Sequence, residues 1–383
     1  MTEKDTHPSS THPPLPPTSE DDQFSCLRLL RSRRVGISTY QRLLIEHGTA
    51  QNALAALPEV ARAAGVAKYS VCPEGVIHAE LKAGRAAGAR LVSQGTPDYP
   101  STLNDLRDAP PFLWVIGDVG SLNKPAIALV GARNASSLGT RMARSLARDL
   151  GAAGYVVVSG LARGVDAAAH LASLETGTVA VQAGGVDTIY PAENSELAFQ
   201  IAEKGARISE QPMGLQPMAR HFPARNRLIS GLAKATVVVE AAAKSGSLIT
   251  ARDALDLGRE VLAVPGNPLD ARASGCNMLI RDGATLVRDA ADVLEALAPI
   301  APRAPEMPLE PPAERPKDSR TLQETAALHS QILSHLGPSP LAEDQLIRDI
   351  GAPSSSVAPA LVELELDGSI NRAPGGLLSR TGS

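Results

Sequence analysis

Ala126-Ile127-Ala128-Leu129-Val130-Gly131-Ala132-Arg133-Asn134 is the stretch that decides the fold. Five apolar residues in a row, without polar alternation, read as a strand buried on both faces, and Gly131 turns it into a loop. Helical spacing follows over residues 138–150. The unit then recurs. Tyr155-Val156-Val157-Val158 runs into Ser159-Gly160 and a helix through 167–171, and Val179-Ala180-Val181 ends near Gly184-Gly185. Arg207-Ile208-Ser209, Val237-Val238-Val239 and Val261-Leu262-Ala263-Val264 are each followed by a loop and a helical stretch. Short apolar strands alternating with helices specify a parallel sheet covered on both faces. The expected core is an α/β, Rossmann-like, doubly wound domain whose repeats run over residues 112–297.

Outward from this core the texture changes. Residues 1–20 hold five prolines among Ser, Thr and charged residues, a composition that predicts a disordered tail. Residues 21–95 read as a small N-terminal helical domain, with Leu27, Leu30, Leu43, Leu44, Leu54 and Leu57 at helical spacings and a further helix over 76–88. Its arginines (Arg28, Arg31, Arg33, Arg34, Arg42) leave two readings open. It is either a SAM- or helix-hairpin-helix-like module that grips phosphate through a turn, or a packing domain. Residues 96–111, with Tyr99-Pro100 and Asp108-Ala109-Pro110-Pro111, read as an irregular connector, which sets the core domain at 96–297. Seven prolines with mixed charges mark 298–320 as a linker. Residues 321–383 read as a winged helix, with helices over 322–336, 341–350 and 355–366 and a hairpin around Gly375-Gly376. Between Val357 and Asp367 there are three acids and no base, so protein contact suits the third helix better than DNA reading.

The composition narrows the function classes. A formal net charge of -4 and a pI near 6.1 argue against a globally basic binder, while allowing a local anion site. Three cysteines (Cys26, Cys72, Cys276) stand without pair or CxxC spacing, which gives no disulfide framework or zinc site and fits a reducing cytosol. No apolar leader region and no run of about 18 apolar residues occur, so neither export nor a membrane partner is expected.

One segment reverses the charge. From Gln211 to Val239 there is no acid, while Arg220, Arg225, Arg227 and Lys234 all fall inside. Pro223 is expected at the first position of a helix, which places Arg225, Asn226 and Arg227 near its N-terminus, where cations oppose the dipole and suit anion capture. In an open parallel sheet, ligands sit outside the carboxyl ends of the strands. The loops there supply Gly131 and Arg133, then Arg163 and Gly164, then Tyr190-Pro191, Glu240 and Lys244 through Ala251, and Pro265-Gly266-Asn267. Several arginines on separate loops suit a ligand with several phosphates. Phe222, beside Arg225, is either a stacking platform for an unpaired base or a core residue. Neither GxGxxG nor GxxxxGK[ST] is present, so no nucleotide cofactor is expected. Asp166 and His170, four apart, read either as an acid–base pair or as a capping Asp and a satisfied helical His. Ser159 stands in a strand-to-helix turn without GxSxG around it.

Taken in order, GARNAS, SGLARGVDAAAH, GGVDTIYP, SE, FPARNRLISGL, SGSLITA and AVPGN resemble the DNA-processing protein A family, also called Smf or DprA. The likeness covers roughly 24–297, and the winged-helix tail matches longer members. It implies a cytosolic, homodimeric, non-enzymatic protein that binds single-stranded DNA and loads a RecA-type recombinase onto it in natural transformation. Its pocket would comprise Gly131, Arg133, Arg163, Gly164, Phe222, Arg225, Asn226 and Arg227. Two departures, Ala132 where Ser is usual and Lys234 where Ser is frequent, leave that pocket intact. The alternative is a nucleotide-processing enzyme like the phosphoribohydrolases of the same superfamily. Their PGGxGTxxE loop is replaced here by Glu240-Ala241-Ala242-Ala243-Lys244-Ser245-Gly246-Ser247, without the paired glycines or the downstream Glu.

Overall fold

The computed structural model describes residues 19–298 and 321–381. Apart from Ser19, Glu20 and Ala298, the expected tail and the expected proline-rich linker lie outside the described residues. The chain forms two compact units that divide at Pro299.

The first unit opens with four helices, α1 (Glu20–Arg31), α2 (Ile37–His47), α3 (Ala50–Ala63) and α4 (Glu74–Ala86). Ser19 starts α1 by accepting from the Asp22 amide at 3.1 Å, and three acids in the first turn with Arg28 and Arg31 in the last complement the helix dipole. Leu27, Leu29, Leu43, Leu57 and Ile77 meet in one apolar cluster. Three of the five local arginines are ion-paired within these helices, Arg42 with Glu46 one turn along α2. Arg28 donates to the Cys72 carbonyl at 2.7 Å and pairs with Glu74, and Arg31 pairs with Glu80, which also accepts from Trp114 Nε1 at 2.9 Å. The three cysteines are buried free thiols.

The core follows as β1 (Arg90–Ser93), β2 (Phe112–Gly117), β3 (Ala126–Val130), α5 (Ser137–Ala152), β4 (Val156–Ser159), α6 (Val165–Ala172), β5 (Thr178–Val181), α7 (Ser195–Lys204) and β6 (Ala206–Ser209). It continues through α8 (His221–Leu232), β7 (Ala235–Val238), α9 (Ser247–Asp256), β8 (Glu260–Ala263), α10 (Ser274–Arg281), β9 (Thr285–Leu286) and α11 (Ala290–Leu297). The nine strands lie in the order β1-β2-β6-β5-β4-β3-β7-β8-β9. From β6 to β9 all pairings are parallel, while β2 joins β6, and β1 joins β2, antiparallel.

The pattern of β3 explains the two faces. Successive side chains of a strand point to opposite sides, so an unbroken apolar run feeds two cores at once. Ala126, Ala128 and Val130 join one cluster with Leu228, Ile229 and Leu232 of α8 and Ala251 and Ala254 of α9. Ile127 and Leu129 join the other with Ala143, Leu146 and Leu150 of α5 and Ala168 and Ala169 of α6. This is the doubly wound arrangement read from the sequence. The chain winds outward from β3 to β6 and then returns to place β7 on the other side of β3, so the loops after β3 and β7 part and leave a crevice between them.

Two antiparallel strands at the sheet edge differ from expectation. Residues 90–93 fall within the expected N-terminal helical domain, 21–95, yet they form β1 and pair with β2, Arg90 opposite Val115 and Ser93 opposite Phe112. Four residues are too few to display a period, and their pairing lies across an intervening connector whose Leu103 and Leu106 plug the core under α8. Pro223 also differs from expectation. It is the third residue of α8, whose N-cap is Arg220, and it is tolerated there because amides of the first turn have no intrahelical partner.

The second unit comprises α12 (Leu322–His335), β10 (Leu341–Ala342), α13 (Glu343–Ile350), α14 (Ser354–Leu366), β11 (Ile370–Ala373) and β12 (Leu377–Arg380), with sheet order β10-β12-β11. It is a winged helix packed on Ile332, Leu346, Val357, Leu361 and Leu378. Two of the three acids at the end of α14 have basic neighbours, Glu363 beside His329 and Glu365 with Arg372, and Val362 and Leu366 are exposed. Among the described residues, no helix is long and apolar enough to cross a membrane.

Candidate functional site

The carboxyl ends of β3, β4 and β5 and the start of α8 enclose a cavity of about 270 Å³, lined by Arg133, Asn134, Gly160, Ala162, Arg163, Tyr190, Pro191 and Phe222. Arg133 is exposed on the β3–α5 loop and its guanidinium carbon lies 4.9 Å from the centre of the Phe222 ring. Such a contact holds a long side chain over a flat surface while leaving its N–H groups available. Arg133 has no carboxylate partner among the described residues. The Tyr190 ring lies 5.8 Å from that of Phe222 and is half exposed. Arg163 also reaches this rim, but it is ion-paired with Glu193. A neighbouring hollow of about 100 Å³ adds Gly131, Asn226 and residues at the start of α9 to the Arg133 and Phe222 wall. Asn226 donates to the Gly246 carbonyl there at 3.4 Å.

Arg225 is buried beneath this rim, at the floor of the neighbouring hollow, with its guanidinium carbon 6.0 Å from the centre of the Phe222 ring. Its side chain passes inward from α8, and Nη1 donates to the carbonyls of Gly160 at 2.6 Å and Val181 at 2.7 Å, the ends of β4 and β5. A Cβ at residue 160 would fall 1.9 Å from that nitrogen, so glycine there is a steric requirement of the arginine. Burial pushes the Arg225 guanidinium down to about 10, which keeps it a cation at neutral pH, and the nearby Asp166 opposes the shift. Gly164, on the loop before α6, has φ +73° and a Cβ there would lie 2.3 Å from the Ala132 carbonyl oxygen. It lets the β4–α6 loop close on the β3–α5 loop, joined by Val165 N donating to Ala132 O at 3.2 Å.

Arg227 departs from expectation most. It faces away from the cavity, donates to the Asp108 carbonyl at 3.0 Å, and pairs with the carboxylates of Asp108 and Glu210. On α8, residues 225 and 227 are two apart and therefore point in different directions, so one helix start could not deliver both to one rim. The expected set is thus split. Gly131, Arg133, Arg163, Phe222 and Asn226 line the opening, Arg225 and Gly164 build its floor and seam, and Arg227 clamps α8 to the connector.

Tyr190 belongs to the cavity wall although the sequence places only its loop at the strand ends. An aromatic in a loop after a parallel strand is the signal that could have found it.

Asp166 and His170 are occupied internally. Asp166 accepts from the amides of Gly160 at 3.0 Å and Ala162 at 3.4 Å, and burial raises its carboxyl while Arg225 opposes that rise. His170 Nε2 accepts from the Leu161 amide at 3.3 Å, which leaves Nδ1–H to donate to Thr178 Oγ1 at 2.7 Å, and Thr178 donates onward to the Val157 carbonyl at 2.9 Å. The His is satisfied, as in the second of the two readings left open, but Asp166 does not cap α6: the helix starts at Gly164 without a side-chain cap, and Asp166 holds the loop amides that precede it. Burial pushes the imidazole down to about 3. The unfolded chain regains an ordinary value of about 6.5, so between the two values it binds the extra proton. The contribution is complete above about pH 6.5 and is lost as pH falls toward about 3, at up to about 1.4 kcal/mol per pH unit. Urea titrations at several pH values should show that His170→Asn flattens the acid limb relative to the native chain. Equal slopes in the two proteins would refute the assignment. The raised Asp166 carboxyl contributes with opposite sign, but to both proteins alike.

Among the described residues no group of His, Cys, Asp and Glu could hold a metal ion.

Against this geometry, a profile of the family described as DNA recombination-mediator protein A matches residues 90–298. Profiles of a DprA-like N-terminal HHH domain and a DprA winged helix domain match 20–83 and 311–376. Protein Smf of Escherichia coli is 38% identical over 289 residues, covering 75% of this chain and 76% of that protein. DNA processing protein DprA of Bacillus subtilis is 41% identical over 220 residues, covering 57% and 74%. Of solved structures, DNA processing protein A from Streptococcus pneumoniae aligns with a TM-score of 0.55 at 38% identity, over 58% of this chain and 77% of that one. The Helicobacter pylori protein, described for its single-stranded DNA binding mode, aligns with a TM-score of 0.51 at 29% identity, over 55% and 97%.

Proposed function

The chain belongs to the DNA recombination-mediator protein A family, and on that premise we propose that it binds single-stranded DNA in the Arg133 cleft and carries out no turnover. The observation that carries this reading is the unpaired Arg133 guanidinium held 4.9 Å over Phe222 at the mouth of a cavity that also presents Arg163 and Tyr190. A phosphate meets the cations, and a flat unpaired base meets the aromatic faces, a pairing of features that tolerates any sequence. Duplex DNA stacks its bases inside and offers the rings nothing. The Helicobacter pylori relative, described for single-stranded DNA binding, supports the same direction. Arg225 and Gly164 serve by shaping the cleft, and Gly131, Arg163, Phe222 and Asn226 contribute its walls.

We further propose two finer assignments, which rest on the family resemblance alone. The bound strand is handed to a RecA-type recombinase during natural transformation, and the working form is a homodimer in the cytoplasm. The winged helix, with no base on the outer face of its third helix and with Val362 and Leu366 exposed, suits protein contact.

Fluorescence anisotropy with labelled oligothymidine tests the central reading. Binding should weaken linearly in log–log form with salt, with a slope of about -0.7 per phosphate contacted, and a duplex of the same length should bind less well. Equal affinity for duplex would overturn the single-strand reading, and release of free base from a nucleoside monophosphate would favour the enzyme alternative instead.

A further inference from the structure

We propose that the bound strand continues past the Arg133 cleft, across the β3–α5 loop, onto a second phosphate track carried by Lys244 and Arg272. This track rests on the single-strand reading above and extends it to two cations, Lys244 and Arg272, outside the pocket that the family resemblance implies.

The first support is continuity. A hollow of about 460 Å³ lies on the other side of the β3–α5 loop, and Gly131, Arg133 and Asn134 line it as well as the cleft openings. The opposite wall is the β7–α9 loop with Lys244 and Gly246, and Arg272 closes it from the segment before α10. These are the loops that part where the strand order reverses. A strand leaving Arg133 therefore meets an open groove rather than a barrier.

The second support is charge. The charged side chains that line this hollow are Arg133, Lys244 and Arg272, and none is acidic. Lys244 is exposed and has no ion pair among the described residues. A structural role for it would need a partner, whereas a compact cation on a flexible stem suits a mobile backbone phosphate. Arg272 is half exposed and forms its pair with Asp270, two residues away on the same segment. Ser245 and Ser247 add hydroxyls to the wall, 2.7 Å apart.

The groove also has an end. Beyond Arg272 the surface opens into another cavity that contains the carboxylates of Glu240 and Asp270. Glu240 is nearly buried and committed to Ser136, whose amide and hydroxyl it accepts from. A fixed carboxylate there repels a further phosphate, so the track stops at Arg272.

Length dependence separates the two tracks. An oligothymidine of about 4 nucleotides should fill the Arg133 cleft alone, whereas one of about 15 should cover both. Lys244→Glu should weaken the long oligonucleotide by roughly tenfold and lower its salt slope by about 0.7 or more, while the short one changes less than about twofold. Lys124→Glu, which makes the same charge change at the amino end of β3, is the control and should leave both lengths within about twofold. Arg272→Ala should repeat the Lys244 pattern more weakly. The proposal is overturned if Lys244→Glu leaves the long oligonucleotide unaffected, if it weakens both lengths equally, or if Lys124→Glu does as much. The underlying reading fails separately, if Arg133→Ala leaves both lengths unchanged.

Discussion

Arg133→Ala is expected to weaken oligothymidine binding by roughly 10- to 100-fold at moderate salt, about 1.5–3 kcal/mol, the worth of a charge-assisted hydrogen bond to phosphate. The side chain is exposed and makes no hydrogen bond to the protein, so its removal should leave the melting temperature almost unchanged. The salt slope should shrink by about 0.7, since one phosphate is no longer neutralised. Arg163→Ala should cost less, about threefold, because Glu193 already offsets that charge and a phosphate must compete for it. Phe222→Ala removes both the stacking surface and the platform beneath Arg133, so its effect and that of Arg133→Ala should combine to less than their sum. Native affinity in Arg133→Ala, with the protein folded, would remove the cleft as the DNA site.

The core is legible in the sequence because its signal is local. A run such as Ala126–Val130 is buried by parity on two faces, and nothing in its surroundings can reinterpret that. The same holds for the winged helix, whose three helices and hairpin each carry their own period and turn. β1 is not separately visible, since an edge strand of four residues is defined by the partner it finds across the connector. The site is legible at the level of loops and not of side chains. Topology places every loop after a parallel strand on one side, which identifies Gly131, Arg133, Arg163 and the start of α8 together. It does not say whether an arginine on a helix start points outward, inward or backward. Arg133, Arg225 and Arg227 look equivalent in the sequence, yet one is exposed, one holds two carbonyls, and one clamps two carboxylates. What separates them is the partner each finds: an aromatic face, two strand ends, and an acid from a connector more than a hundred residues earlier.

Arg225 should therefore behave as a structural residue. Arg225→Ala leaves the Gly160 and Val181 carbonyls without their donor and leaves Asp166 buried without a nearby cation. Leaving a buried carboxylate without its nearby cation and two carbonyls without their donor should cost about 3–5 kcal/mol, which for a unit of this size lowers the melting temperature by on the order of 10 °C. Arg225→Met keeps volume and should lose nearly as much, because the uncompensated Asp166 remains. Pairing it with Asp166→Asn removes that charge, and the double variant should recover at least about 1 kcal/mol relative to the sum of the two single losses. Gly160→Ala, which puts a methyl group where Nη1 now sits, should resemble Arg225→Ala in melting without touching any charge. DNA affinity, measured on the folded fraction at low temperature, should fall only as far as the loops after β4 and β5 lose their positions. The opposite result, an unchanged melting temperature with affinity lost, would return Arg225 to direct contact with the strand. The difference between these outcomes follows from one hydrogen-bond pattern. A guanidinium that caps two strand ends has one N–H edge spent on the protein, so the rigidity of the cleft, rather than its charge, is what Arg225 supplies.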